Sequence, residues 1–145
     1  MFERILVVCT GNICRSPVAE AFLRQRLPER RISSAGLGAL EGKPVSPLAR
    51  QLAEADGLDV NHHQARQLTV AMIQEADLIL VMTERQRRAV GQQAPQALGK
   101  TLLLGRWLDS GKGQNIPDPY RKSTEVFEHI HMLLKDASLA WAEKL

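Results

Sequence analysis

The feature that most constrains the fold is a short apolar run that leads into a glycine-containing loop and then into a helix start. Residues 5–8 (Ile-Leu-Val-Val) are continuously apolar and mostly β-branched, which is typical of a strand buried on both faces of a parallel sheet. A loop follows from Cys9 to Arg15, and Ser16-Pro17 then predicts an N-cap with proline at the first helical position. The segment is therefore predicted to form a strand, a tight loop and a helix N-terminus in succession.

The remaining residues repeat this alternation of strands and helices. Further strands are predicted at residues 31–35, 78–82 and 101–104. Helices are predicted after the first loop and at residues 48–55, 70–76, 83–90 and 123–145. Thr83 with Gln86 has the spacing of a capping box at the start of its helix. The alternation predicts an α/β fold, a three-layer domain with a four-stranded, mostly parallel sheet flanked by helices.

Length and composition limit the classes of protein that fit. The chain has 145 residues and a mass of 16.1 kDa, which suits one domain over residues 1–145. A net charge of +3 is too small to indicate nucleic-acid binding. Two cysteines are too few for a disulfide framework or a four-cysteine zinc site. No apolar run approaches the roughly 18 residues that a membrane span needs, so we expect a cytoplasmic protein without membrane insertion.

The first loop has the properties of an anion site. In an open α/β sheet, ligands bind beyond the carboxyl ends of the strands, which is where this loop lies. The helix N-terminus offers unpaired N–H groups and a partial positive charge. Gly11 lets the backbone curl, and Arg15 adds a planar fork suited to phosphate oxygens. We therefore expect one tetrahedral oxyanion to be wrapped between Cys9 and Arg15, by loop residues Thr10, Gly11, Asn12, Ile13 and Cys14 and by Ser16 at the helix start.

Cys9 is the candidate nucleophile of this loop. The loop amides and Arg15 favour its thiolate form, and a thiolate at the centre of a phosphate cradle is placed for in-line attack on phosphorus. The product of that attack is a cysteinyl phosphate. A Cys-x5-Arg spacing also occurs with a buried structural cysteine and an ordinary surface arginine. The strand before the spacing and the Ser-Pro helix start after it favour the catalytic interpretation.

Residues 7–17, Val-Val-Cys-Thr-Gly-Asn-Ile-Cys-Arg-Ser-Pro, closely resemble the phosphate loop of the low-molecular-weight protein tyrosine phosphatases. The resemblance continues in order at residues 34–36, 65–67 and 118–120, and residues 36–40 and 118–122 are similar to the bacterial branch. That branch is associated with tyrosine kinases of capsule and exopolysaccharide production. The resemblance implies hydrolysis of protein phosphotyrosine, such as the tyrosine-rich tail of a cognate kinase, without a cofactor or metal.

The resemblance also assigns residues outside the first loop. Asp118, between two prolines, corresponds to the general acid that protonates the leaving phenolate, a task suited to a carboxylic acid. Tyr120, the single tyrosine, corresponds to a pocket wall that stacks on the substrate ring. Leu40 is expected on the opposite wall, where animal relatives typically carry an aromatic residue. The cleft is therefore expected to be less enclosing than in those relatives.

Four polar residues correspond to those that brace the phosphate loop in the family: Asn12, Ser16, Ser34 and His63. Ser16 is suited to donate a hydrogen bond to the Cys9 sulfur. Asn12 is suited to a strained loop because asparagine tolerates positive φ. His62 is adjacent to His63, so a shift of one residue in the alignment would exchange the two.

Cys14 lies inside the loop that curls around the anion. It fits a small buried apolar side chain, and it also fits a redox partner that captures oxidised Cys9 as a reversible disulfide. The histidines occur as two pairs, His62 with His63 and His129 with His131. Neither pair has an acidic or cysteine partner at metal-ligand spacing, so we expect no metal site.

Two other functions are compatible with the same loop. A thiol-coupled arsenate reductase uses this fold but needs further cysteines to relay the disulfide, and residues 78–95 contain none. A non-catalytic phosphotyrosine-binding module would be favoured by loss of Cys9, Arg15 or Asp118, but all three are present. The sequence therefore favours a phosphatase, and we expect it to act as a monomer.

Overall fold

The computed structural model describes residues 2–145, which contain a four-stranded sheet. The strands are β1 (Arg4–Cys9), β2 (Arg31–Gly36), β3 (Leu78–Val81) and β4 (Thr101–Leu103). Their order in the sheet is β2-β1-β3-β4, and all three neighbouring pairs are parallel. Placing β1 between β2 and β3 brings the loop after Cys9 to the centre of the carboxyl edge of the sheet.

Helices cover both faces of this sheet. They are α1 (Arg15–Arg26), α2 (Pro47–Ala55), α3 (Val70–Glu75), α4 (Glu84–Gln93) and α5 (Thr124–Lys144), with 3₁₀ turns at Pro95–Lys100 and Leu104–Trp107. Within residues 2–145, no helix has the length and apolarity to cross a lipid bilayer. The predicted α/β class and the three-layer arrangement are confirmed, and the sheet is parallel throughout.

The alternation of side chains along β1 divides the core into two apolar layers. Ile5 and Val7 point to the layer formed with α1 and α5, whereas Leu6 and Val8 point to the layer formed with α3 and α4. All four side chains are at most 3% exposed. A strand buried on both faces explains the continuous apolar run of the sequence, and it fixes the position of the loop that follows.

One local prediction about a helix start differs from the structure, and a second is confirmed except for one side chain. Helix α1 begins at Arg15 after Cys14, so Ser16 is inside the first turn and is not the N-cap. Its side chain is fully buried because it contacts the loop. At α4 the Thr83 hydroxyl accepts the Gln86 N–H at 3.2 Å, as the capping pattern predicts. The Gln86 side chain, however, does not return to Thr83, because it accepts the Met82 N–H after β3 and donates to the Thr10 hydroxyl after β1.

Candidate active site

The loop after β1 turns its carbonyl groups outward and leaves its amides free. The carbonyls of Cys9, Thr10 and Gly11 accept N–H groups of the segment 37–40 at 3.0–3.1 Å, and the Ile13 carbonyl accepts one from Ser46 at 2.9 Å. Among residues 2–145, the N–H groups of loop residues 10–14 have no acceptor. Consecutive free amides of this kind can form an anion-binding concavity. The backbone of this loop therefore has donors available to an anionic ligand.

Gly36 allows the neighbouring strand to approach this loop closely. A β-carbon at Gly36 would lie 2.5 Å from the Thr10 carbonyl oxygen and 3.1 Å from the Asn12 side chain. The first distance is far inside van der Waals contact, so no larger side chain fits without movement of the backbone. The glycine thus permits the hydrogen bonds that hold the loop carbonyls outward.

Asn12 is the central polar contact of the loop. It is fully buried and has φ of 58°, a left-handed conformation that asparagine tolerates. Its Nδ2 donates to Ser16 Oγ at 2.7 Å and to Ser34 Oγ at 3.0 Å, and its Oδ1 accepts the Arg66 N–H at 3.0 Å. Its carbonyl oxygen lies 2.6 Å from Nε2 of His63. These contacts hold the strained residue in one conformation.

The Cys9 sulfur lies at the bottom of the loop beside a hydroxyl group. Cys9 is 2% exposed, and its Sγ lies 2.8 Å from Ser16 Oγ. Because Ser16 already accepts a hydrogen bond from Asn12, its own proton is free to point at the sulfur. A hydroxyl that donates to a thiolate stabilises the charged form.

Arg15 places a buried positive charge against the same loop. Its side chain is 3% exposed, Nη1 donates to the Ile116 carbonyl at 2.8 Å, and Nη2 lies 3.7 Å from Asp118 Oδ2. Its buried Nε has no hydrogen-bond partner among residues 2–145. An unpaired buried donor is costly, and the free Nε, beside the Asp118 ion pair, is a donor that an anionic ligand could satisfy.

A cleft of about 140 Å³ opens above the loop. Tyr120 and Leu40 lie on its lining and are 40% and 41% exposed. Asp118 lies there too, and its Oδ1 accepts the backbone N–H of Tyr120 at 3.0 Å, which ties the Asp118 side chain to the backbone of the same loop. The full lining is Cys9, Thr10, Gly11, Ile13, Cys14, Arg15, Gly38, Leu40, Asp118 and Tyr120. The structure thus brings the two sequence-predicted walls and Asp118 to the mouth of the anion loop.

Cys14 faces the cleft from the far side of the loop. It is 5% exposed, and its Sγ lies 3.2 Å from Ser46 Oγ. Burial raises the pKa of the Cys14 thiol to about 11, against the hydrogen bond from Ser46, which lowers it. Cys14 is therefore a neutral thiol near pH 7, and both cysteines are free.

Some residues that hold the site were not predicted to do so. Gln86 accepts the Met82 N–H at 2.8 Å and donates to the Thr10 hydroxyl at 3.1 Å. Ser46 contacts Cys14, and the Ile116 carbonyl orients Arg15. The capping spacing singled out Gln86 for another role, whereas a backbone carbonyl at residue 116 leaves no signal in the sequence.

Of the two adjacent histidines, His63 is the one in contact with the loop, and His62 is exposed. In the other pair, His131 is buried with Nε2 at 2.6 Å from Asp56 Oδ2, and His129 is exposed. Within residues 2–145 no group of three or more histidine, cysteine, aspartate or glutamate side chains is placed to hold a metal ion.

Comparison with known proteins gives consistent similarities along the whole chain. Residues 4–145 match the family described as low molecular weight phosphotyrosine protein phosphatase. The low molecular weight protein-tyrosine-phosphatase Wzb of Salmonella typhimurium is 46% identical over 145 residues, covering 100% of this chain and 95% of that protein.

Two solved structures have the same fold at similar identity. The crystal structure of the tyrosine phosphatase Wzb from Escherichia coli K30 in complex with sulphate has a TM-score of 0.94 and 46% identity, and the match covers 99% of both chains. Vibrio vulnificus Wzb in complex with benzylphosphonate has a TM-score of 0.94 and 46% identity, with 100% of both chains covered.

Proposed function

The chain belongs to the low molecular weight phosphotyrosine protein phosphatase family, and from this premise we propose that it hydrolyses protein phosphotyrosine through a phosphorylated Cys9. The observation that carries the proposal is the loop of free amides with the Cys9 sulfur at its base and the unpaired Arg15 Nε beside it. The amides and guanidinium suit the phosphoryl oxygens, and the sulfur suits attack on phosphorus.

In the first step the Cys9 thiolate attacks the phosphorus of the bound ester. An S–P bond forms as the P–O bond to the tyrosine ring breaks, so the electron pair leaves with the phenolate oxygen. The loop amides and Arg15 stabilise the charge on the equatorial oxygens, because they are preorganised donors. Ser16 Oγ, at 2.8 Å from the sulfur, holds the thiolate in place before attack.

Asp118 is the proposed general acid and base. In its protonated form it gives a proton to the leaving phenolate oxygen, which then departs as tyrosine. As a carboxylate it accepts a proton from a water molecule that attacks the phosphorus. The S–P bond breaks, inorganic phosphate leaves, and the Cys9 thiolate and protonated Asp118 are restored. Its position on the cleft lining together with Cys9 supports this role.

Tyr120 and Leu40 are proposed to hold the substrate ring between them. An aromatic side chain on one wall and a leucine on the other offer apolar faces to a planar ring. Asn12, Ser34 and His63 are proposed to act through the loop, since they contact it and do not line the cleft.

The physiological substrate is proposed to be the phosphorylated tyrosine-rich tail of a bacterial tyrosine kinase that controls capsule or exopolysaccharide production. This follows from the resemblance of residues 36–40 and 118–122 to the bacterial branch of the family. We further propose a single phosphatase domain over residues 1–145 that acts as a cytoplasmic monomer. A substrate-trapping pull-down from native lysate with the Asp118→Ala variant tests the substrate, and recovery of no tyrosine-phosphorylated kinase would contradict it.

Hydrolysis of p-nitrophenyl phosphate and of a phosphotyrosine peptide tests the activity itself. The wild type should hydrolyse both, Cys9→Ser should hydrolyse neither, and phosphoserine peptides should be poor substrates. A wild type that binds phosphotyrosine without turnover would indicate a non-catalytic binding module. A wild type that reduces arsenate with thiols would indicate an arsenate reductase, although the chain has no cysteines beyond Cys9 and Cys14.

A further inference from the structure

A second concave region lies along the outer edge of strand β2, away from the cleft. It encloses about 780 Å³, which is within the size range of ligand pockets. Five arginines line it: Arg4, Arg24, Arg30, Arg31 and Arg66. Glu75 is the acidic residue on the same lining. We call this region the arginine groove, and its charge indicates an anionic occupant.

The backbone of β2 strengthens this charge pattern. The Arg31 N–H bonds to the Glu3 carbonyl, and the Leu37 N–H to the Cys9 carbonyl. The backbone N–H and C=O groups of the odd-numbered residues of β2 therefore point toward β1. Because peptide groups alternate along a strand, those of residues 32 and 34 point away from β1. Among residues 2–145, the outward amides of residues 32 and 34 have no acceptor.

The outward carbonyls of the same edge are already occupied. Arg24 donates to the Ile32 carbonyl through Nε at 3.0 Å and Nη2 at 2.7 Å. Arg66 donates through Nε to the Ser34 carbonyl at 2.8 Å. An edge strand normally offers donors and acceptors in alternation, which invites another strand. This edge offers donors only, so it favours carboxylate groups over the addition of a β-strand.

Arg4 and Arg31 are two neighbouring charges on the groove lining. They are partners in the β1–β2 register, so their side chains leave adjacent strands on the same face. Neither guanidinium makes an ion pair within the described residues 2–145. Asp77 Oδ2 instead accepts the backbone N–H groups of Glu3 and Arg4. Two adjacent like charges repel, and an anion between them would relieve that repulsion.

The groove and the cleft lie toward opposite ends of strands β1 and β2, with Arg4 and Arg31 on the groove lining and Cys9 on the cleft lining. Strand β2 runs from Arg31 in the groove to Gly36, and the segment that follows reaches Leu40 on the cleft wall. The six residues from Arg4 to Cys9 are five steps along a strand, which span about 17 Å at about 3.3 Å per step. A peptide with its phosphotyrosine in the cleft needs roughly four to eight extended residues to reach the groove.

We propose that the arginine groove binds an acidic segment of the protein substrate, about four to eight residues from the phosphotyrosine. The inference rests on the proposed phosphatase function, which supplies the occupant of the cleft. The groove would act on the KM of protein substrates, and it would leave the chemistry at Cys9 unchanged.

The test uses pairs of phosphotyrosine peptides in which one member carries a block of glutamates at this distance and the other carries glutamines. One pair has the block on the N-terminal side of the phosphotyrosine, and a second pair has it on the C-terminal side. The double variant R4Q/R31Q should raise the KM for one glutamate peptide about three- to tenfold, as expected for two partly exposed charge pairs. It should leave kcat, the glutamine peptides and p-nitrophenyl phosphate unchanged. The matched control R26Q/R88Q removes the same charge from exposed residues outside the groove and cleft, and it should leave every KM unchanged.

Salt provides a second readout on the wild type. Raising the ionic strength should abolish the preference for the glutamate peptide, because exposed charge pairs are screened. The inference would be overturned if the wild type had equal KM values for glutamate and glutamine peptides. It would also be overturned if both double variants raised the KM for the glutamate peptide equally. Failure of the wild type on p-nitrophenyl phosphate would instead overturn the proposed function on which it rests.

Discussion

Replacing Asn12 by alanine should weaken both the fold and the phosphate loop. The substitution removes three hydrogen bonds of the Asn12 side chain, to Ser16, to Ser34 and from the Arg66 N–H, and Asn12 is fully buried. At about 1 kcal/mol for each bond, the loss is about 3 kcal/mol. Alanine at φ of 58° adds about 1 kcal/mol of backbone strain. The expected loss in the free energy of unfolding is therefore about 4 kcal/mol.

Asn12→Gly separates the two contributions. Glycine adopts positive φ freely, so this variant should lose about 3 kcal/mol, and the difference of about 1 kcal/mol reports the strain. Ser34→Ala is the milder control, since it removes one partner of Asn12 and leaves the conformation of the loop residue unchanged. Urea unfolding gives the three free energies, and kinetics with p-nitrophenyl phosphate give the effect on the loop.

Both Asn12 variants should also lower kcat/KM by more than tenfold, because the loop amides and the Ser16 hydroxyl lose their common anchor. Competitive inhibition by inorganic phosphate should weaken in parallel. Changes in unfolding free energy below about 1 kcal/mol for both variants would refute the reasoning, since a buried set of three bonds must cost more than one surface contact. Equal stability of the alanine and glycine variants would refute the strain contribution alone.

Three further predictions concern acid catalysis, oxidation and pH. Asp118→Ala should slow the hydrolysis of phenyl phosphate more than that of p-nitrophenyl phosphate, because the poorer leaving group needs the proton more. Equal slowing of the hydrolysis of both esters would argue against Asp118 as the general acid. After peroxide treatment, a thiol reductant should restore activity in the wild type and much less in Cys14→Ser, because Cys9 sulfenic acid and the Cys14 thiol condense to a disulfide with loss of water. Burial raises the Cys14 pKa to about 11, so disulfide formation should accelerate as the pH rises toward that value. Equal recovery of activity by both proteins would exclude protection of Cys9 by Cys14. Hydrogen bonds from His131 and Lys135 lower the pKa of Asp56 below its ordinary 3.8, so its carboxylate should contribute its full stability above pH 3.8 and lose it as the pH falls through the lower pKa of the folded state. The free energy of unfolding should therefore decline less steeply in acid for Asp56→Asn than for the wild type. The same pH dependence of the unfolding free energy in both proteins would contradict this linkage.

The local part of the site could be predicted because adjacent residues carry it. A buried strand, a loop with Gly11 and a helix start define an anion site within residues 5–17, and the alternation of apolar segments gives the parallel sheet. The start of α1 was placed two residues late because Ser16 resembles an N-cap. Its hydroxyl is in fact directed at the Cys9 sulfur, a choice made by tertiary contacts and not by helix propensity.

Contacts across the chain could not be predicted from the residues alone. The Arg15 guanidinium meets the Ile116 carbonyl 101 positions away, and Gln86 meets Thr10 across 76 positions. Backbone groups have no residue signature, and the Gln86 side chain fits the local capping pattern equally well. The arginine groove was missed for a related reason, because its arginines are scattered from residue 4 to residue 66 and meet only at the edge of β2.

The most direct test of the central claim is to trap the covalent intermediate. The wild type, Asp118→Ala and Cys9→Ser are mixed with a phosphotyrosine peptide or with p-nitrophenyl phosphate, quenched within one turnover and analysed by peptide mass spectrometry. We predict a phosphate adduct on Cys9 in the wild type and none in Cys9→Ser. With p-nitrophenyl phosphate, whose leaving group needs no acid, more adduct should accumulate in Asp118→Ala because the hydrolysis step lacks its base. Turnover without any adduct, or an adduct on another residue, would contradict the account.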